Sequence, residues 1–266
     1  SVIMERYVCI HGHFYQPPRE NPWLEVIERQ ESAHPYHDWN ERITAECYAP
    51  NAVASNYSKI SFNFGPTLLR WLEEKAPEVY QAIREADRQS LERFSGLGSA
   101  LAQPYNHMIL PLANHQDRVT QVRWGIEDFR HRFGRNPEGM WLPEMAVDVE
   151  TLEILAEHGI RFTVLAPHQA RRVRAPGGRV WRNVTGERID PSTAYWIELP
   201  SEKRFSLFFY DGPIARAVAF EQLLTRGEDF AQRLLGEFLD SRTWPQMVHI
   251  ASDGETYGHH HRFGDM

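Results

Sequence analysis

Short apolar runs recur along the chain and alternate with segments whose apolar residues return every three or four positions. The runs Arg6–His11, Lys59–Phe64, Gly98–Gln103, Gly139–Leu142, Arg161–Leu165, Phe205–Tyr210 and Met247–Ala251 predict strands. Several are nearly continuous in apolar residues, the pattern of strands buried on both faces of a parallel sheet. Between them, Gln116–Phe133 sets Val119, Val122, Ile126, Phe129 and Phe133 on one helical stripe, and Gly134 follows as a stop. Asp148 can cap a helix running to His158. Pro66 suits the first turn of a helix carrying Leu68, Leu69 and Leu72; Pro77 breaks it and begins the next. Val218–Leu239 predicts one further long helix.

Strand–helix alternation of this kind reads as an α/β fold, either a parallel barrel or a doubly wound sheet. The polar residues favour the barrel, because they gather at strand ends. His11 and His13 end the first strand; Gln103, Asn106 and His107 follow the third; Glu144 follows the fourth; Asp211 the sixth; Asp253 and Glu255 the last. A closed barrel brings all those ends to one face, whereas an open sheet spreads them along an edge. The expected fold is therefore an incomplete (β/α)7-type, TIM-like barrel over residues 1–266. Tyr15–Asn56, which carries Pro17, Pro18, Pro22 and Pro35, is an insertion over the mouth, and Ala166–Leu199 a lid or short hairpin. No terminating element follows Gly258, which predicts that the barrel continues past Met266.

The 266 residues are 42% hydrophobic and 24% charged, ordinary for a globular protein. No apolar run reaches membrane-helix length, so no membrane partner is expected. Ser1–Tyr7 lacks the apolar run of a signal peptide. A net charge of −7 argues against nucleic acid as a partner. The basic cluster Arg171, Arg172, Arg174 and Arg179 reads as a solvated loop. Two cysteines, Cys9 and Cys47, are too few for a disulfide framework, and they fit a reducing, cytoplasmic setting. The excess lies in 13 His, 8 Trp, 10 Tyr and 14 Phe, rings that can line a sugar-binding cleft or fill a core.

Two segments carry the strongest chemical signal. In Gly139-Met140-Trp141-Leu142-Pro143-Glu144, a strand runs into a rigid proline and then a carboxylate. In Ser252-Asp253-Gly254-Glu255-Thr256-Tyr257-Gly258-His259-His260-His261, carboxylates, glycines and imidazoles close the last strand. His11 and His13 are alternate strand residues whose rings share a face. They can converge on a ligand or a metal, or stand as hydrogen-bonded core histidines. Asp211 is either a site carboxylate or a turn cap.

These segments resemble glycoside hydrolase family 57, retaining enzymes that act on α-glucans from an incomplete (β/α)7 barrel. Trp141-Leu142-Pro143-Glu144 is similar to the motif that holds the nucleophile, which falls on Glu144. Asp253-Gly254-Glu255-Thr256-Tyr257-Gly258-His259 is similar to the motif of the general acid/base, which falls on Asp253. His11-Gly12-His13-Phe14-Tyr15-Gln16-Pro17 and Tyr105-Asn106-His107-Met108-Ile109-Leu110-Pro111-Leu112 resemble two further family motifs. Phe14 and Tyr15 are extra residues in the first, and Ser99-Ala100-Leu101-Ala102 lacks the acid usual upstream of the second.

The resemblance implies an α-glucan or oligosaccharide as partner, with no cofactor and no metal. His11, His13, Gln16, His107, Trp141, Asp211, Glu255, Tyr257 and His259 would contact substrate. Retention implies a carboxyl separation of about 5–5.5 Å and a raised pKa for Asp253. Two alternatives stand beside it: a metal-dependent carbohydrate hydrolase or deacetylase using His11, His13, Asp253 and His259, and a glucan-binding barrel without turnover.

Overall fold

The structure, a computed structural model, describes residues 4–266. The first strand, β1 (Arg6–Phe14), is the middle of a parallel sheet, flanked by β2 (Ser61–Phe64) and by the last strand, β8 (Gln246–Asp253). It runs past the predicted end at His11 because Gly12–Phe14 keep parallel partners on both sides up to His13. A second sheet has the order β3 (Phe162–Leu165), β7 (Arg204–Phe209), β6 (Tyr195–Glu198), with β3 parallel and β6 antiparallel to β7. The short hairpin β4 (Arg172–Val173) and β5 (Arg182–Asn183) lies in the expected lid segment.

The predicted third and fourth strands are shorter than their apolar runs. They pair through single parallel bridges, Phe62–Ala100, Ala102–Met140 and Gly139–Phe162, which step from β2 across to β3. Gly98 and Pro104 bound one segment and Pro143 ends the other, so neither extends a regular ladder. At the far side the Asp211 N–H donates to the His249 carbonyl at 2.8 Å, tying the end of β7 to β8. Parallel strands thus alternate with helices in chain order, as the hydrophobic pattern predicts.

The helices follow their signals closely. Pro66 and Pro77 open α3 (Pro66–Lys75) and α4 (Pro77–Arg93). Between β1 and β2 lie two shorter helices, α1 (Trp39–Ile43) and α2 (Ala49–Val53), in the insertion over the mouth. Asn114 caps α5 (His115–Phe133) by accepting from the Asp117 N–H, and Gly134 ends it in the left-handed conformation. Asp148 caps α6 (Val149–Glu157) through the Thr151 N–H. The main core packs Leu68, Leu72, Ile83, Val122, Ile126 and Phe129 against Phe62, Met140 and Leu142.

The long helix expected over Val218–Leu239 is instead two, α7 (Gly212–Phe220) and α8 (Gly227–Leu235). Gln222 turns left-handed between them (φ 56°), and both helices can then lay apolar sides on Val248 and Ile250 of β8. Among the described residues, no helix is long and apolar enough to cross a membrane.

Candidate active site

The parallel register puts three polar residues at one level. His13 stands opposite Asn63 on β2 and opposite Asp253 on β8. Trp141, three residues before Glu144, stacks on the rings of His11 (4.9 Å between centroids) and His13 (5.2 Å). His107 stacks on Tyr15 at 3.9 Å and on His13 at 5.1 Å. Three strand ends thereby build one wall of flat rings.

Glu144 and Asp253 are both exposed beside this wall. Partial burial of the carboxyl raises the Asp253 pKa; the charge of Glu144 raises it further, while His260 and His107 pull it down. The His107 imidazole is lowered, chiefly by burial, and is acted on by both carboxylates. Glu144, Asp253 and His107 therefore sit within electrostatic reach of one another. Glu144 follows Pro143 in a single 3-10 turn with φ 55° and ψ 14°. Its neighbour Met145 and also His107 have positive φ (52° and 56°). Left-handed backbone at residues other than glycine costs roughly 1–3 kcal/mol each and persists where the surroundings dictate the geometry.

The histidines are held by the protein itself. His11 uses Nδ1 with Ser61 Oγ and Nε2 with Asn63 Oδ1, both at 2.8 Å. His13 uses Nδ1 with Asn63 Nδ2 (2.7 Å) and Nε2 with His107 Nε2 (3.0 Å). Burial depresses both, His11 to about 4 and His13 to about 3, so both rings are neutral at pH 7. The metal alternative would need their nitrogens free. Among the described residues, the one group of three potential ligands within mutual reach is His37, Asp38 and Glu41, on the inserted segment.

Glu255 is buried and acts as a clamp. Its Oε1 accepts from Tyr48 Oη (2.7 Å), the Tyr15 N–H (3.1 Å) and, at 3.5 Å, Gln16 Nε2. Burial pushes its pKa up to about 7. Gln16 in turn accepts from Arg19 at 2.8 Å. Together these bonds pin the segment after β1 to the turn after β8.

The remaining predicted contacts lie elsewhere. The Asp211 carboxylate accepts from the Ile214 N–H and caps α7, the turn-cap reading of that residue. It borders a cavity of about 210 Å³ shared with Glu187, Tyr210 and His249, which neither Glu144 nor Asp253 lines. Tyr257 packs with Ile214 and Val248 outside the ring wall, its hydroxyl bonded to Ser252. His259 pairs with Glu46 and meets the edge of Trp39. The imidazole that acts on Asp253 from this turn is the next one, His260. Asn63 was invisible as a motif, although an amide between Phe62 and Phe64 in an apolar strand is itself a signal. It is fully buried, and buried polar side chains are there to be hydrogen-bonded.

The model of Glycosyl hydrolase family 57 matches residues 3–266. The chain belongs to this family. It is 31% identical to Alpha-amylase 1 of Dictyoglomus thermophilum over 107 residues, which are 40% of this chain and 15% of that protein. It is 25% identical to the 4-alpha-glucanotransferase of Thermococcus litoralis over 163 residues, 61% of this chain and 22% of that protein. The crystal structure of a GH57-type branching enzyme from Pyrococcus horikoshii superposes with a TM-score of 0.64 at 16% identity, covering 97% of this chain and 65% of that one. The chain thus spans under a quarter of the length of these curated relatives, and the structural likeness is one of fold.

Proposed function

We propose that this family 57 chain is a retaining glycoside hydrolase or transglycosylase acting on α-glucans, with Glu144 as nucleophile and Asp253 as general acid/base. The observation that carries the reading is the convergence of the two carboxylates on the ring wall: His13 pairs opposite Asp253 of β8, and Trp141, three residues before Glu144, stacks on that same His13. The bridged strands and the Asp211–His249 hydrogen bond support closure into the family's (β/α)7 barrel. We also place the protein in the cytoplasm, in keeping with two free cysteines.

Chemically, the ionised Glu144 attacks the anomeric carbon as the bond to the leaving oxygen breaks. Asp253 gives that oxygen its proton, then takes one from water or an acceptor hydroxyl as the glycosyl-enzyme opens. A raised pKa suits the first step, since Asp253 must arrive protonated. The stacked Trp141, His13, His107 and Tyr15 offer faces for sugar C–H surfaces. Trp141 Nε1 and Gln103 Nε2 are buried donors without a partner among the described residues. Each such donor costs roughly 1–3 kcal/mol, which a sugar hydroxyl accepting from it would recover.

Incubation with maltooligosaccharides tests the assignment. Asp253→Asn should lower kcat about 10²–10⁴-fold, and Glu144→Gln by at least as much, with both variants folded. Undiminished turnover in Glu144→Gln would refute the nucleophile.

A further inference from the structure

The hydrogen bonds around Asn63 have a direction that heavy-atom distances alone do not state. Asn63 is the hinge: Oδ1 meets His11 Nε2, while Nδ2 meets both His13 Nδ1 and Gln103 Oε1, the last at 2.8 Å. An amide oxygen only accepts and an amide nitrogen only donates. His11 therefore carries its proton on Nε2, leaving Nδ1 to accept from the Ser61 hydroxyl. His13 has a bare Nδ1, so as a neutral ring it is protonated at Nε2. That N–H points at His107 Nε2, which must be bare, and the His107 proton sits on Nδ1. One chain of donors runs from Ser61 through His11, Asn63 and His13 to His107.

The same atoms admit one other consistent order, with the Asn63 and Gln103 amides turned over and every bond reversed. The Ser61 end of the chain argues against it. There, the remaining protein atom within reach of the Ser61 proton is Cys9 Sγ, 3.5 Å away, and sulfur is a weak acceptor. In the first order Ser61 donates to an imidazole nitrogen and can accept from the thiol.

We propose that Asn63 is a positioning residue: it orders the protons of His11, His13 and His107 in one direction and thereby leaves His107 no free basic nitrogen beside the two carboxylates. An uncommitted imidazole is a stronger base than a carboxylate and would draw off the proton that Asp253 needs. With the His13 N–H occupying its lone pair, His107 keeps a neutral ring face in the wall and takes no part in proton transfer. The catalytic consequence rests on Asp253 being the acid; the proton order does not.

Histidine-selective 15N NMR at pH 7 separates bare from protonated ring nitrogens, each ring assigned by the loss of its signals in the single His→Gln variant. Expected are Nε2–H on His11, Nε2–H on His13 and Nδ1–H on His107. Nδ1–H on His13, or an even mixture of its tautomers, overturns the proposal. Asn63→Asp keeps the shape but only accepts, so His13 Nδ1 should change from bare to protonated; an unchanged bare Nδ1 also overturns it. On maltooligosaccharides Asn63→Asp should lose about tenfold or more in kcat, with KM within about twofold; full kcat would overturn the catalytic role. If Asn63→Asp does not fold, the wild-type spectrum decides. Wild-type protein with the expected proton order and no glucan turnover would count against the glycosidase reading and leave the proton order standing.

Discussion

At the scale of single residues, polar groups here divide into those the protein has used and those it has left open. Both nitrogens of His11 and of His13 are used, as is Glu255 Oε1. The buried indole N–H of Trp141 has no partner among the described residues. Trp141→Phe keeps a stacking face and removes that donor. One hydrogen bond to a sugar is worth about 1.4 kcal/mol, so KM for maltooligosaccharide should rise about tenfold while kcat changes less. An unchanged KM would mean the indole N–H does not meet substrate. At this scale, the strand-end placement of Glu144 and Asp253 was legible from sequence because an apolar run stops just before each. The histidine roles were only half legible. Alternate residues on a strand share a face, but the partners that occupy their nitrogens, Ser61, Asn63 and His107, come from other strands and loops.

At the scale of elements, the segment leading to His107 is held in place from outside. Asp87, buried on α4, receives two hydrogen bonds from Arg135, at 2.9 and 2.8 Å. The same carboxylate accepts from the Ala100 N–H at 2.9 Å, fixing the bridged segment that carries Gln103. Asp87→Ala leaves the Arg135 charge without its main partner. Breaking a buried pair this way costs roughly 3–5 kcal/mol, which urea unfolding should register; a loss below about 1 kcal/mol would contradict the pinning role. On the other side of this segment, a Cβ added to Gly125 of α5 would lie 2.0 Å from the Gln103 carbonyl oxygen, so the helix packs directly on the strand backbone. Caps and prolines made α3, α4, α5 and α6 legible. The break between α7 and α8 was not, because the apolar stripe of Val218–Leu239 continues across Gln222, and only packing on β8 forces the turn.

At the scale of the whole molecule, the buried titratable groups set how stability varies with pH. His11 and His249 fall to about 4 and His13 to about 3 in the folded protein, each through burial. Below pH 6.5 the unfolded chain binds protons that the folded one refuses, so these groups take stability away as pH falls. Glu255, at about 7 when folded, works the other way. The folded state keeps its proton while the unfolded state loses it above the ordinary 4.5, and stability falls as pH rises toward 7. Three histidines outweigh one glutamate, so denaturation midpoints should rise from pH 4.5 to 6.5 and level off near 7. Glu255→Gln should steepen that rise by about one proton, or about 1.4 kcal/mol per pH unit; a midpoint flat across the window would contradict the burial of these rings. At this scale the alternation of strands and helices was legible from hydrophobic periodicity alone. The contacts that tie β1 to β8 pair residues as far apart along the chain as Arg6 and Gln246 or His13 and Asp253, and leave no local trace.

The central claim is that Glu144 and Asp253 share one gap, and it can be tested without any substrate. The carboxyl pKa of Asp253, followed by 13C NMR in wild type and in Glu144→Gln, should lie above the ordinary aspartate range in the first and fall in the second, because one of the charges that raises it has gone. The same Asp253 pKa in both proteins would mean that the two carboxyls do not face each other.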